Sequence, residues 1–358
     1  MSYAAEMTAA IAPYDPADRS ALRAFQLRHF GPSSRQADDR WFDWAFERNP
    51  HRLAGEPLVW VCKRDGVVVG QQACMPVLLK VGDLDRRASW GVDLMVAPEW
   101  RLRGVGPALF SHFERSSDIL LGLGLSEPAR RTCLRSAWVD LGPLPIFARP
   151  LDFQACVEGL GKRDWLKQAP NLLTSGTARI AAALASTTGC SLERIHTFDE
   201  RVDNAWALAS REYPMLVKRD FLRLRWRFDD APDGSKYERY YLRRRGEVLG
   251  YAVTRMENWR GHQVARIVDC LSERRWVGAL LAYIVDVMRT KNAVAVLLER
   301  LHPADGKRLL PIGFFRVGAA TRFMVKSPPA DAAARLLNNP ACWIVTRGDS
   351  DSDLSANV

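Results

Sequence analysis

The residues best suited to chemistry lie in one run, Trp90-Gly91-Val92-Asp93-Leu94-Met95-Val96-Ala97-Pro98-Glu99-Trp100-Arg101-Leu102-Arg103-Gly104-Val105-Gly106-Pro107. Its pattern is a strand, a turn with two glycines, and the start of a helix. Such a junction aims several backbone N–H groups and the positive helix end at one spot, where a phosphate can sit. Gly104 and Gly106 let an anion approach without a Cβ in the way. Pro107 costs nothing there, because first-turn N–H groups have no acceptor inside the helix. Each charge-assisted hydrogen bond contributes roughly 1.5–3 kcal/mol, so three or four hold a pyrophosphate firmly. The glycines alone are equally compatible with a ligand-free turn. No Gly-Lys-Ser/Thr follows, so this is not a Walker loop. It also lacks the G-x-G-x-x-G of a dinucleotide site.

The run V-x-P-x-x-R-x-R-G-V-G-x-x-L resembles the acyl-CoA signature R/Q-x-x-G-x-G/A of the GNAT superfamily of N-acetyltransferases. It stands here as Arg101-Leu102-Arg103-Gly104-Val105-Gly106. The resemblance implies that amides of residues 102 to 107, from Leu102 through Pro107, surround the CoA pyrophosphate. It also implies that Leu94, Met95 and Val96 offer backbone groups to the pantetheine arm, beside a splayed neighbouring strand. A second family pattern, N-x-x-A-x-x-x-Y-x-x-x-G-F, is met in part by Ser126, Ala129, Cys133, Ala137 and Trp138. Asp93, on the strand before the CoA loop, is the implied general base. Cys133 aligns with the tyrosine that protonates the leaving thiolate in many relatives. An unperturbed thiol, with a pKa of ~8.5, could donate that proton, although buried cysteines are more often inert packing groups. His29 and His112 read as structural.

The elements that must position these residues follow from the pattern of the chain. Asp15-Pro16-Ala17-Asp18 is a helix start, with Asp as cap and Pro in the first turn. Asp65-Gly66 joins apolar runs at 57–63 and 67–73 as a hairpin. Strands at 75–81, 88–96 and 118–123, helices from Gly106 and over 127–136, and a strand at 138–147 complete the first half. The second half reads similarly. It has helices at 199–212 and 219–227, then strands at 237–244, 247–257 and 262–271. A helix at 274–290, a strand at 293–299, a helix near 304–311 and a strand at 314–325 follow.

The likeness of the two halves extends to residues. Trp44-x-Phe46 matches Trp226-x-Phe228, Gly66 matches Gly246, Val92-Asp93 matches Val268-Asp269, and Ala137-Trp138 matches Gly313-Phe314. The offsets are 182, 180, 176 and 176, in the same order. The expectation is an α/β (α+β) protein of two tandem GNAT-like domains, each a mixed, mainly antiparallel sheet flanked by helices. The divisions are 1–150 for CoA, 151–198 as linker region, 199–326 as degenerate copy, and 327–358 as C-terminal tail. In the second copy Arg275 and Trp276 stand where phosphate-binding glycines belong, so that half is expected to wall the acceptor cleft or support the first.

Composition narrows the class. The chain of 358 residues is 47% hydrophobic and 26% charged, as for a globular protein, which excludes collagen-like and coiled-coil chains. The N-terminal stretch lacks the pattern of a signal peptide, and no apolar stretch is expected to span a bilayer. The seven cysteines are scattered and never in CxxC, which argues against a zinc site or disulfide framework and for a reducing cytoplasm. Residues 1–160 hold 19 Lys/Arg against 19 Asp/Glu, so the whole net charge of +10 lies in residues 161–358. An acidic partner for the second half is one expectation, with Arg219, Arg223 and Arg227 as one helical face, otherwise a solvated stripe. The first dozen residues and 348–358 read as disordered.

Together these features predict direct transfer of an acyl group, acetyl by expectation, from acetyl-CoA to an amine-bearing small molecule or protein, without metal. Nucleic acid is not the expected partner. Two other classes stay open: a non-catalytic scaffold that keeps the fold, and an aminoacyl-tRNA-dependent transferase, which also pairs GNAT-like domains.

Overall fold

Local rules set the first elements. The Asp15 carboxylate accepts from the Ala17 amide at 2.8 Å and starts a short 3-10 turn leading into the helix Arg19–His29. Asp65 and Gly66 both take positive φ, 49° and 77°, the conformation a two-residue hairpin needs. Arg245 and Gly246 do the same at 50° and 90° in the second half. Ala137 (φ 60°) and Gly313 (φ 81°) end helical segments in the left-handed region. The following residues bond alike, Trp138 N to Cys133 O and Phe314 N to Leu309 O, both at 3.1 Å.

The structure is a computed structural model and describes residues 10–159, 189–302, 305–328 and 332–354. Its strands are β1 (Ala10–Pro13), β2 (Val59–Arg64), β3 (Val67–Val81), β4 (Leu84–Val96), β5 (Ile119–Leu123), β6 (Val139–Pro150) and β7 (Cys190–Ile195). They continue as β8 (Met215–Val217), β9 (Glu238–Arg244), β10 (Glu247–Trp259), β11 (His262–Ser272), β12 (Ala295–Leu301), β13 (Phe315–Lys326) and β14 (Val345–Thr346). One sheet runs β1-β2-β3-β4-β5-β13-β6-β12-β11-β10-β9-β7. Among the described strands, β4–β5 and β11–β12 pair in parallel and the other pairings are antiparallel. The fold is a mixed, largely antiparallel sheet flanked by helices.

The centre of the sheet is an exchange. β13 inserts between β5 and β6, and β6 in turn pairs with β12. Phe323, Met324 and Val325, late in the chain, therefore pack into the core built by the first 145 residues. Two helical segments, Asp43–Glu47 and Arg225–Asp229, carry π-type turns and meet through Trp44 and Trp226. Their rings stack at 4.5 Å and 11°.

Several expectations change here. The runs 67–73 and 75–81 form one strand, β3, which crosses Pro76 without a break. The region 151–198 holds a helix, Phe153–Gly159, and the sheet strand β7, while 160–188 lies outside the described residues. The tail reading of 327–358 fails for 332–354, and the disorder reading fails for 348–354. Val345 and Thr346 pair with β12, and Asp349, Ser350, Asp351, Ser352 and Asp353 are buried. The first nine residues lie outside the description.

Candidate active site

Two glutamines prepare the site. The β3–β4 register slips between Gln71 and Ala73, and opposite this bulge Asp93 takes φ 57°. The Gln71 side-chain amide donates to Asp93 O at 3.1 Å, and that of Gln72 donates to Val92 O at 3.0 Å. Side-chain bonds thus replace the ladder bonds that the bulge breaks, and they hold a backbone conformation rare outside glycine. The signal was readable: two polar residues stand in the otherwise apolar run from Val67 to Leu79.

β4 and β5 pair only through Ala88–Trp90 and Ile119–Leu121. Beyond that point β4 follows β3 and β5 follows β13, so the two strands part. A cavity of about 630 Å³ opens between them. Gly91, Val92, Asp93 and Leu94 line one wall, and Leu121 to Leu125 line the other. Phe110, Phe113 and Trp138 give an apolar floor. Gly91 is required for that floor, since a Cβ there would stand 2.8 Å from the Phe113 ring. Polar groups arrive from five places: Arg35 and Gln36 after the first helix, Gln72 from β3, Ser126, Glu127 and Arg130 at the helix Glu127–Arg135, Thr321 and Arg322 from β13, and Arg347, Asp351 and Ser352 from the C-terminal segment.

Asp93 faces this cavity with its carboxylate almost wholly buried. Gln36 donates to Oδ1 at 2.7 Å, and Arg35 stands 3.7 Å away. Arg35 is simultaneously paired with the Asp351 carboxylate and donates to its carbonyl at 3.2 Å. Burial pushes the Asp93 carboxyl above the ordinary aspartate range; Arg35 opposes the shift and the Asp351 carboxylate adds to it. A carboxylate so placed accepts a proton more readily than a solvated one.

The glycine turn follows β4 directly. Arg101 Nε donates to Val96 O at 3.1 Å, and Arg103 lies 5.5 Å from the Trp100 ring. Leu102 (φ 62°) is fully exposed. Gly104 (φ 81°) precedes the helix Val105–Phe113 and has no side-chain cap. The first-turn amides of Val105 and Gly106 therefore lack intrahelical acceptors. The two glycines differ. Gly104 needs its left-handed φ, whereas a Cβ on Gly106 would only touch Val96 Cγ2, at 3.7 Å. Residues 101–107 do not line the cavity; the helix joins the two, with Val105 and Gly106 at its start and Phe110 and Phe113 at the cavity floor. The turn's open backbone fits a pyrophosphate, and the gap after Trp90 fits an acyl-pantetheine arm.

Cys133 is placed differently from the expectation. Its thiol is buried in the core behind Ala129 and Arg130, which line the cavity while Cys133 does not. Burial, reinforced by Glu114, pushes it up to about 12. His29 and His112 are also away from the cavity lining.

The second half differs at each equivalent point. Asp269 is buried among full partners: Arg219 Nε at 3.2 Å, Tyr251 Oη at 2.6 Å and Thr346 Oγ1 at 3.0 Å. The turn there holds Arg275, paired with Glu273, and Trp276 at the start of the helix Val277–Thr290. Arg219, Arg223 and Arg227 overturn both readings made of them. They are 1%, 2% and 1% exposed, and their acidic partners belong to this chain. Arg219 pairs with Asp349 at 2.8 Å, Arg223 donates to Asp349 O at 2.8 Å, and Arg227 pairs with Asp353. Trp41, Trp44 and Trp226 are core packing groups.

No family model matches the sequence, and no curated protein matches it. Solved structures do. A GCN5-related N-acetyltransferase from Anabaena variabilis ATCC 29413 superposes with a TM-score of 0.61 at 14% identity, over 88% of this chain and 72% of that one. A second, from Kribbella flavida, gives 0.60 at 14% over 92% and 73%. Saccharomyces cerevisiae N-myristoyltransferase with bound myristoyl-CoA gives 0.55 at 11% over 89% and 83%. At these identities the likeness is one of fold: the chain shares its fold with two GCN5-related N-acetyltransferases and an N-myristoyltransferase.

Proposed function

We propose that this chain is an acyl-CoA-dependent N-acyltransferase built from two GNAT-like units, of which the first, residues 1–150, binds acetyl-CoA. Residues 199–326, joined by the strand β7, form a degenerate unit that binds no CoA, the rest of 151–198 connects the two, and the C-terminal segment completes the acceptor end. The parting of β4 from β5 beside the Asp93 bulge carries this reading, because it makes room for a thioester within reach of a buried carboxylate. The duplication rests on the matched turns, the exchanged strands and the Trp44–Trp226 stack.

The backbone N–H groups of residues 102 to 106 hold the pyrophosphate, with Pro107 beginning the helix behind them and Arg101 and Arg103 beside it, and β4 from Leu94 to Val96 borders the pantetheine. Asp93 takes a proton from the acceptor ammonium. The freed amine attacks the thioester carbonyl carbon, the C–S bond breaks, and the second amine proton ends on the CoA thiolate. Cys133 has no part in this. Proton transfer by a placed carboxylate contributes ~10²–10⁴-fold. No covalent enzyme intermediate forms.

The apolar floor favours a second reading of the donor, an acyl chain longer than acetyl. Phe110, Phe113, Leu121 and Trp138 face far more space than two carbons fill, and each buried CH₂ stabilises by ~0.8 kcal/mol. Release of free CoA thiol, measured with acetyl-, octanoyl- and myristoyl-CoA against panels of amines, amino sugars and peptides, tests both. Turnover with any pair supports the transferase; no release with any donor and acceptor refutes it.

A further inference from the structure

The C-terminal segment threads between two equivalent carboxylates and treats them differently. At Asp269 it fills the space: Thr346 donates to the carboxylate, Asp349 shares Arg219 with it, and a Cβ on Gly348 would stand 2.9 Å from Asp269 Cβ. At Asp93 it leaves the space open and contributes Arg347, Asp351 and Ser352 to the cavity wall. Asp351 pairs with Arg35, the cation that among the described residues forms an ion pair with Asp93.

We propose that Asp351 is a positioning residue for acyl transfer, holding Arg35 aside so that the Asp93 carboxylate is left to take the acceptor's proton. This rests on the transferase reading above. Arg35 lies 3.7 Å from Asp93 but is bound to both the side chain and the carbonyl of Asp351. Without that hold, the guanidinium closes on Asp93 and neutralises it as a base. The groups facing Asp93 are Arg35, Gln36 and Trp41 from the segment after the first helix, and Asp351 from the C-terminal segment. Arg227 and Asp353 act on Arg35 from behind. Among these, Asp351 is the group whose removal frees Arg35 toward Asp93. The same segment thus closes one carboxylate site and sets the proton affinity of the other.

The test is the pH profile of kcat/KM for wild type, Asp351→Asn and Arg35→Gln, each first shown to be folded by circular dichroism. Asp351→Asn moves the acid limb to lower pH and lowers the plateau on the order of tenfold, short of the loss from removing the base itself. Arg35→Gln moves the acid limb the other way, to higher pH. Opposite displacements cannot both arise from damaged folding, and Asp351→Glu restores the wild-type limb. Wild-type limbs in both variants, or shifts in one direction, overturn the role of Asp351. An inactive wild type with every donor instead overturns the transferase reading itself. If Asp351→Asn does not fold, the direction seen in Arg35→Gln decides.

Discussion

Trp44 and Trp226 bond each other reciprocally: Trp44 Nε1 donates to Trp226 O at 2.7 Å, and Trp226 Nε1 donates to Trp44 O at 3.0 Å. The rings are stacked and buried, so each indole satisfies its one donor only through the other residue. The contact behaves as a local twofold between the halves. Replacing either tryptophan with Ala removes a buried ring and leaves the partner's backbone carbonyl without its indole donor. Each variant is expected to lose ~3–5 kcal/mol in urea unfolding, and the double variant to lose less than the sum.

The two glycines of the turn separate cofactor binding from folding. Gly104→Val places a β-branched residue at φ 81° and is expected to lower Tm as well as CoA affinity. Gly106→Val meets only ordinary contact with Val96, so its Tm should stay near wild type while CoA affinity is lost. Calorimetry with thermal melts checks both. Wild-type affinity in Gly106→Val removes the pyrophosphate from this turn.

Asp93 and Asp269 are expected to respond oppositely to the same change. Asp269→Asn leaves Arg219 partly unpaired in the core and should cost ~3–5 kcal/mol. Asp93→Asn removes a charge that burial disfavours, so stability should hold or rise while turnover falls ~10²–10⁴-fold. Cys133→Ala should leave kcat unchanged.

Acid should destabilise the protein through its arginine-held carboxylates. Burial alone would raise Asp140 and Glu257, but Arg322 and Arg130 at the first and Arg266 and Arg255 at the second hold both below their ordinary values of 3.8 and 4.5. Their stabilisation is present above those values and is lost as pH falls through the lower folded ones. Asp93, shifted upward, runs the other way and costs stability above its ordinary value. Denaturant midpoints measured from pH 6 to pH 3 should fall; a flat or rising curve contradicts the arginine pairing.

Much of this was legible in the sequence where the cause is local. Asp15-Pro16 starts a helix because the carboxylate reaches an amide two residues on, and Asp65-Gly66 turns because the chain there needs positive φ. The strand–turn–helix around Gly104 is local in the same sense. What escapes a local reading is pairing across the chain. β13 enters the first half's sheet because β5 ends beside it, and no spacing within 315–326 announces this. The C-terminal Ser/Asp run reads as solvated by composition. Its burial depends on arginines far back in the chain: Arg219 and Arg227 pair with Asp349 and Asp353, Arg35 pairs with Asp351, and Arg223 donates to the Asp349 carbonyl. Cys133 fell on a family position, yet the turn of its helix carries the thiol into the core.

The central claim, one acyl-CoA site per chain at the parting of β4 and β5, is tested most directly by the stoichiometry of acetyl-CoA binding in isothermal calorimetry. One molecule per chain is expected for wild type and none for Gly106→Val at an unchanged Tm. Two molecules per chain, or none with wild type, would contradict it.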